Sequence, residues 1–236
     1  MNDRVLGVIG GMGSYATLNF FKTILDTFPA EKEWERPHVI VDNCCTLPSR
    51  VRAILYKEKV EELIQGLIFS MDKLIAFGVN DIIVCCNTCH YFLDSVFERR
   101  PDLKHYVLNI LECAKDFCIK NEVKKVFLIA TEGTIETGIY DMFFSDSVQV
   151  EKPTEYELKK IRSFIEAVKQ NKIDETVQKN FADFINNINC TEIVLGCTEM
   201  PIIYSQIKDN IFNKNIIDPL SCALSRFKER YLGIEI

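Results

Sequence analysis

Apolar residues along this chain follow two alternating rhythms. Short runs rich in Val, Ile and Leu, at residues 4–10, 38–42, 81–86, 125–130 and 191–196, read as buried strands. Between them the spacing changes to i, i+3, i+4, most clearly in Val60, Leu63, Ile64, Leu67, Ile68, Met71, Leu74 and Ile75. That stripe predicts a helix over 57–77 with Gly78 as its C-terminal stop. Further helices are expected over 14–28, 134–144 and 155–169. Strands without a polar face need cover on both sides, and strands separated by helices pair in parallel. The expected fold class is α/β, with mostly parallel sheets flanked by helices.

In such sheets ligands collect beyond the carboxyl ends of the strands, and there the chain repeats itself. Asp81-Ile-Ile-Val-Cys-Cys86-Asn-Thr88 aligns without a gap on Glu192-Ile-Val-Leu-Gly-Cys197-Thr-Glu199, 111 positions later. Leu6-Gly-Val-Ile-Gly-Gly-Met-Gly13-Ser14 aligns on Val126-Phe-Leu-Ile-Ala-Thr-Glu-Gly133-Thr134 at an offset of 120. Two similar lobes are implied, with Cys86 and Cys197 at equivalent places on the two walls of a cleft.

The length of 236 residues suits one large domain or two small ones, and 47% hydrophobic with 26% charged residues suits a globular chain. Net charge is −6 and the 28 Lys and Arg are scattered, so nucleic acid is not an expected partner. No apolar run approaches the roughly 18 residues of a membrane span. The short apolar start runs into a glycine turn, so neither membrane nor export is expected and the chain is read as cytoplasmic. Its ten cysteines then stay reduced, as core residues, metal ligands or catalysts.

Two facing thiols suit one chemistry in particular. Inverting a stereocentre by proton transfer needs a base on one face of the carbon and an acid on the other, and thiols lie near the useful range. Each cysteine ends a strand before an expected helix, so the N–H groups of Asn87, Thr88, Thr198 and Glu199 are expected to face the cleft, where they favour a thiolate and a carboxylate. A lone strand-end cysteine is usually core; the matched pair is what argues otherwise.

Other motifs compete. Cys86-Asn-Thr-Cys89-His90 fits C-x-x-C-H of c-type haem attachment and the C-x-x-C of a redox pair, and Cys85, Cys86, Cys89 and His90 are zinc-type ligands. Gly11-Met-Gly13-Ser-Tyr-Ala16 with Asp42 fits a relaxed dinucleotide fingerprint. Haem attachment needs export, zinc needs a second ligand cluster, and the spacing to Asp42 is long. Neither a cofactor nor a metal is expected.

Gly10-Gly-Met-Gly13 with Ala16-Thr17, Cys86-Asn-Thr-Cys-His90 and Gly196-Cys-Thr-Glu199 together resemble the aspartate/glutamate racemase superfamily, aspartate racemase branch, over nearly the whole chain. The resemblance implies two pseudo-symmetric α/β lobes, 1–104 plus 209–236 and 105–208, a homodimer, and catalysis without pyridoxal phosphate. It makes Cys86 and Cys197 the catalytic thiols and Asn87, Thr88 and Thr198 the α-carboxylate binders. Arg50 and Lys169 become the grip on a side-chain carboxylate, and Met12, Gly13 and Glu199 complete the substrate-binding set. Read by themselves, Arg50 and Lys169 are solvated surface charges. Ser14, Cys85, Cys89 and Gln170-Asn171 depart from the family's habits without removing a catalytic group, and Cys89 gives Cys86 a disulfide partner. The expected function is aspartate racemisation on a small acidic amino acid. The alternatives are a glutamate or broad-specificity racemase and, from another class, a non-catalytic dicarboxylate-binding protein.

Overall fold

Alternation along the strands decides the layering. A computed structural model describes residues 4–144 and 146–234. Its first half runs β1 (Leu6–Gly10), α1 (Ser14–Thr27), β2 (Val39–Asn43), α2 (Arg50–Tyr56), α3 (Val60–Ala76), β3 (Asp81–Val84), α4 (Leu93–Arg99) and α5 (Ile110–Lys120). The second runs β4 (Lys125–Ala130), α6 (Glu132–Thr137), α7 (Ile139–Phe144), β5 (Gln149–Glu151), α8 (Glu155–Lys169), α9 (Glu175–Asn187), β6 (Glu192–Gly196), α10 (Met200–Ile207), β7 (Asn215–Ile217) and α11 (Pro219–Leu232).

The strands form two parallel sheets, in the orders β2-β1-β3 and β5-β4-β6-β7. β1 and β4, β2 and β5, and β3 and β6 hold matching places. The two sequence offsets therefore mark equivalent strand ends, with one cysteine beyond β3 and the other beyond β6. Residues 215–217, expected to belong with the first lobe, instead form β7 on β6. They cover an edge that would leave N–H and C=O groups unpaired, and they bury Ile217 there. From β7 the chain returns as α11 to pack on α5 and α1.

In β4, Val126, Leu128 and Ala130 enter a core shared with the first sheet, whereas Phe127 and Ile129 pack under α8, α9 and α10. In the first sheet, Leu6, Val8 and Ile83 join the shared core, and Ile9, Ile82 and Val84 pack under α2, α3 and α4. Both faces are covered, which is why these strands read as unbroken apolar runs. Phe20 of α1, Ala114 of α5, Tyr140 of α7 and Phe227 of α11 fill the space between the sheets.

The helix expected over 134–144 is two short ones. Thr131 accepts from the Thr134 N–H and starts α6 early, and Gly138 in the left-handed region (φ +61°) separates it from α7.

Asp81, the acid that opens the repeat, is buried at the start of β3. It accepts from Arg4 at 2.6 Å and from Arg230 of α11, tying the chain's entry into β1 to its last helix. Asp81→Asn preserves the shape but removes the charge that both arginines meet. Urea unfolding should show a loss of about 2–3 kcal/mol with an unchanged m-value. A loss below about 0.5 kcal/mol would mean that the arginines contribute no more than ordinary surface pairs.

Candidate active site

Two glycines shape the turn after β1. Gly11 has φ +81°, and a Cβ there would lie 2.4 Å from the Cys45 amide nitrogen, so only glycine lets this turn pass the segment after β2. Thr17 accepts from the Gly11 N–H at 2.9 Å and donates to the Gly13 carbonyl at 2.9 Å. Met12, buried between them, offers its carbonyl to Arg50 Nη2 at 3.0 Å. Arg50 begins α2 behind the Ser49 cap, and its Nη1 donates to the Pro48 carbonyl at 2.9 Å. Backbone carbonyls thus hold the guanidinium inward, although in sequence it resembles a surface charge.

β3 ends at Val84, two residues earlier than expected. Cys85 keeps the strand alternation and enters the shared core, while Cys86 belongs with the packing of the opposite face. Asn87–Phe92 then form a 3-10 turn, and the second lobe holds it. Tyr140 Oη donates to Asn87 Oδ1 at 2.6 Å. Thr88 Oγ1 lies 2.8 Å from Thr134 Oγ1 and 3.2 Å from Thr131 Oγ1. His90 Nε2 accepts from the Ile110 N–H at 3.4 Å, so Nδ1 donates to the Cys86 carbonyl at 2.9 Å. Burial lowers the His90 pKa to about 4, which keeps the ring neutral.

Beyond β6, Cys197 Sγ donates to Glu199 Oε2 at 2.9 Å, and Thr198 Oγ1 approaches the same oxygen at 3.5 Å. The other oxygen of Glu199 faces the glycine turn, where a Cβ on Gly13 would stand 2.8 Å from Oε1. The cysteine motif of one lobe therefore touches the first turn of the other.

The Asp/Glu/Hydantoin racemase family model matches residues 9–226. The chain belongs to that family. Among its relatives, the broad specificity amino-acid racemase RacX of Bacillus subtilis (strain 168) is 24% identical over 238 residues, covering 98% of this chain and 100% of its own. A glutamate racemase of Persephonella marina is 24% identical over 181 residues, 74% of this chain and 67% of its own. The structure of Picrophilus torridus aspartate racemase gives a TM-score of 0.79 at 24% identity, with 99% of this chain and 100% of that one covered. Francisella tularensis glutamate racemase, solved with D-glutamate, gives 0.67 at 20% identity, with 99% and 82% covered. These two structural likenesses establish the fold, and the chemistry of the Asp/Glu/Hydantoin racemase family site here rests on the side chains.

The two thiols of this family member are not equivalent. A hydrogen bond from Cys89, and beyond it the Arg50 charge, outweigh burial and bring Cys86 below the ordinary thiol range. Cys197 moves the other way, because burial first and then the Glu199 charge and hydrogen bond hold its proton well above that range. The N–H groups after Cys197 are expected from the sequence to favour an anion in the cleft; in the structure α10 starts only at Met200, and the anion beside that sulfur is the Glu199 carboxylate. Burial pushes Cys85 and Cys89 up as well.

Among the described residues, three buried atoms around the cysteines have no hydrogen-bond partner: Arg50 Nε, Asn87 Nδ2 and Glu199 Oε1. Lys169 stands farther out. Its side chain is 45% exposed and 3.6 Å from Glu166, and its charge reaches Cys197. With Ser49, Arg52, Thr131, Glu132 and Arg162 it lines an opening of about 310 Å³ between α2 and the second lobe.

Residues of the competing motifs are engaged within the fold. His90 has both ring nitrogens taken, and among the described residues no group of three or more His, Cys, Asp or Glu is arranged to hold a metal ion. Asp42, the candidate ribose acid, is held by Ser70 and Lys73, each at 2.6 Å. Sequence reasoning does not find Thr131, Thr134 or Tyr140 at the site. The offset-120 repeat points at Thr134, but as a helix start; Tyr140 in an apolar stretch reads as core.

A small thiol reagent should expose the inequality of the cysteines. Methyl methanethiosulfonate at neutral pH is expected to modify Cys86 ahead of Cys89 and Cys197, as read by peptide mass mapping. The Cys86 rate should level off at a lower pH than an ordinary thiol's, and Arg50→Gln, by removing the cation, should move that inflection upward. Cys197 reacting first would reverse the assignment.

Proposed function

We propose that this amino-acid racemase inverts aspartate without a cofactor, with Cys86 and Cys197 acting as base and acid on opposite faces of the α-carbon. What carries this reading is the set of unpartnered atoms, two donors and one acceptor. A buried polar atom left alone costs roughly 1–3 kcal/mol, so the set marks what a ligand must bring. Carboxylate oxygens suit Arg50 and Asn87, and an ammonium N–H suits Glu199. A dicarboxylic amino acid has all of these groups.

In this reading Asn87, Thr88 and Thr198 hold the α-carboxylate, Arg50 with Lys169 holds the second carboxylate, and Met12 and Gly13 form the wall behind the ammonium on Glu199. The Cys86 thiolate takes the α-proton. The electron pair moves into the α-carboxylate, where fixed donors meet the growing charge. Cys197 then delivers its proton to the opposite face, leaving Cys86 as thiol and Cys197 as thiolate, the state from which the other enantiomer is deprotonated. Ammonium on Glu199 weakens the negative field that otherwise holds the Cys197 proton, so the substrate itself eases that transfer. Residues 1–104 with 209–236, apart from the strand at 215–217 that pairs with β6, and residues 105–208 serve as the two lobes around the substrate, in a cytoplasmic homodimer. Among the described residues no helix is long and apolar enough to cross a membrane.

A broad-specificity racemase is the second reading, favoured by the RacX relative that matches along its whole length. Solvent-deuterium incorporation into a panel of L- and D-amino acids separates the two. Aspartate should exchange fastest, and early in the reaction deuterium should appear in the product enantiomer while remaining substrate keeps its proton. Cys86→Ser and Cys197→Ser should each lower racemisation by about a thousandfold or more, and Arg50→Ala should lower kcat/KM for aspartate by about a hundredfold. Full racemisation by either serine variant would falsify the two-thiol mechanism. A thermal shift with aspartate and no exchange would leave a binding protein.

A further inference from the structure

Asn87 and Thr88, consecutive residues of the first cysteine turn, are each gripped by a different short helix of the second lobe. α6 brings Thr134 to Thr88, and α7, set off from it by the left-handed Gly138, brings Tyr140 to Asn87. The second contact has a chemical direction. Tyr140 and Asn87 are 1% and 2% exposed, and their 2.6 Å hydrogen bond lies out of reach of water.

We infer that Tyr140 is a positioning residue for the α-carboxylate: its phenol, reaching across from the second lobe, turns the Asn87 amide so that the NH2 end faces the substrate. This rests on the reading of Asn87 given under the proposed function. An asparagine amide has a donor end and an acceptor end, and its terminal torsion is soft. A buried phenol must place its proton on an acceptor, and Asn87 Oδ1 is that acceptor. With Oδ1 so engaged, Nδ2 is left buried and unpartnered. Turning the amide over would set an oxygen against the carboxylate and strip the phenol of its acceptor, so two unfavourable contacts oppose the wrong orientation. Burial, in the core that also packs Phe144 against the ring at 5.4 Å, keeps the phenol protonated far above its ordinary range. The donor is therefore constant wherever the enzyme is folded.

Tyr140→Phe removes only the hydroxyl. KM for L-aspartate should rise about tenfold, the worth of one hydrogen bond to a charged ligand. Competition by β-alanine, which is aspartate without its α-carboxylate, should be unchanged. In an Asn87→Ala background, adding Tyr140→Phe should change aspartate binding less than about twofold. Equal weakening toward aspartate and β-alanine, or effects that multiply fully in the double variant, would reduce Tyr140 to a packing residue and overturn the inference. Should Tyr140→Phe not fold, the wild-type protein still decides. The side-chain NH2 resonance of Asn87, identified by its loss in Asn87→Ser, should move with L-aspartate and stay with β-alanine; movement with both would again overturn it. If the wild type prefers another amino acid, the proposed substrate fails, and the comparison is made between that acid and its decarboxylated amine.

Discussion

One cation held among negative groups sets the character of this site. Arg50 hydrogen-bonds the carbonyls of Met12 and Pro48, which leaves its charge to act on Cys86 and Glu199. In a dry site unit charges a few ångströms apart interact far more strongly than in water. Without the guanidinium, the Glu199 charge would drive a thiolate at Cys86 toward its protonated form. The guanidinium is in turn placed by backbone. Gly11 lets the β1 turn pass the β2 turn, Thr17 locks it, and the Met12 carbonyl then points where Arg50 can reach it. A glycine with positive φ thus has an electrostatic consequence at a thiol on another strand.

The inequality of the two thiols follows from the same arrangement. The lobes repeat the strand order and the place of the cysteine, but the residues just after the cysteine differ. Asn-Thr-Cys follows Cys86 and places the Cys89 thiol beside it, whereas Thr-Glu follows Cys197 and supplies a carboxylate acceptor. The repeat gives each lobe a cysteine beyond a strand end, and the differing residues after it shift the two thiols in opposite directions. An acid and a base are what proton transfer through a carbon centre needs at the start of a turnover.

Much of this was legible in the sequence because it was periodic or repeated. Short unbroken apolar runs and the helical stripe of Val60 to Ile75 marked the strands and α3, and the offsets of 111 and 120 located equivalent strand ends before any strand order was known. The chain did not advertise contacts made by residues distant in sequence and ordinary in type. Arg50 looks like any exposed arginine until the Met12 carbonyl is brought beside it. Tyr140 looks like core, and it is core on every atom but one. β7 escaped because three residues carry too little pattern to separate a strand from a loop, and its place on β6 is set by an edge that exists only after folding. Side-chain polarity at the end of a core residue, and edges made by tertiary structure, are invisible to periodicity.

The shared core also limits how the site can open. Leu6, Val8, Leu128, Val194 and Phe227 belong to one cluster that both sheets build, and a hinge that swung the sheets apart would bring such side chains to water at about 1.5–3 kcal/mol each. The contacts that the two cysteine turns themselves make with the opposite lobe are different in kind: hydroxyl pairs at Thr88 and Thr134, the Tyr140 phenol on Asn87, and Glu199 against Gly13. These are few and polar, and groups of this kind can exchange partners with water or with a ligand at little net cost. The opening framed by Ser49, Arg52, Thr131 and Arg162 has Val51, Leu158 and Ile165 in its lining as well. Core packing therefore fixes the strand ends, and α2 adds a close seam on the second lobe, where a Cβ on Gly133 would stand 3.3 Å from Val51 and 3.6 Å from Ile54.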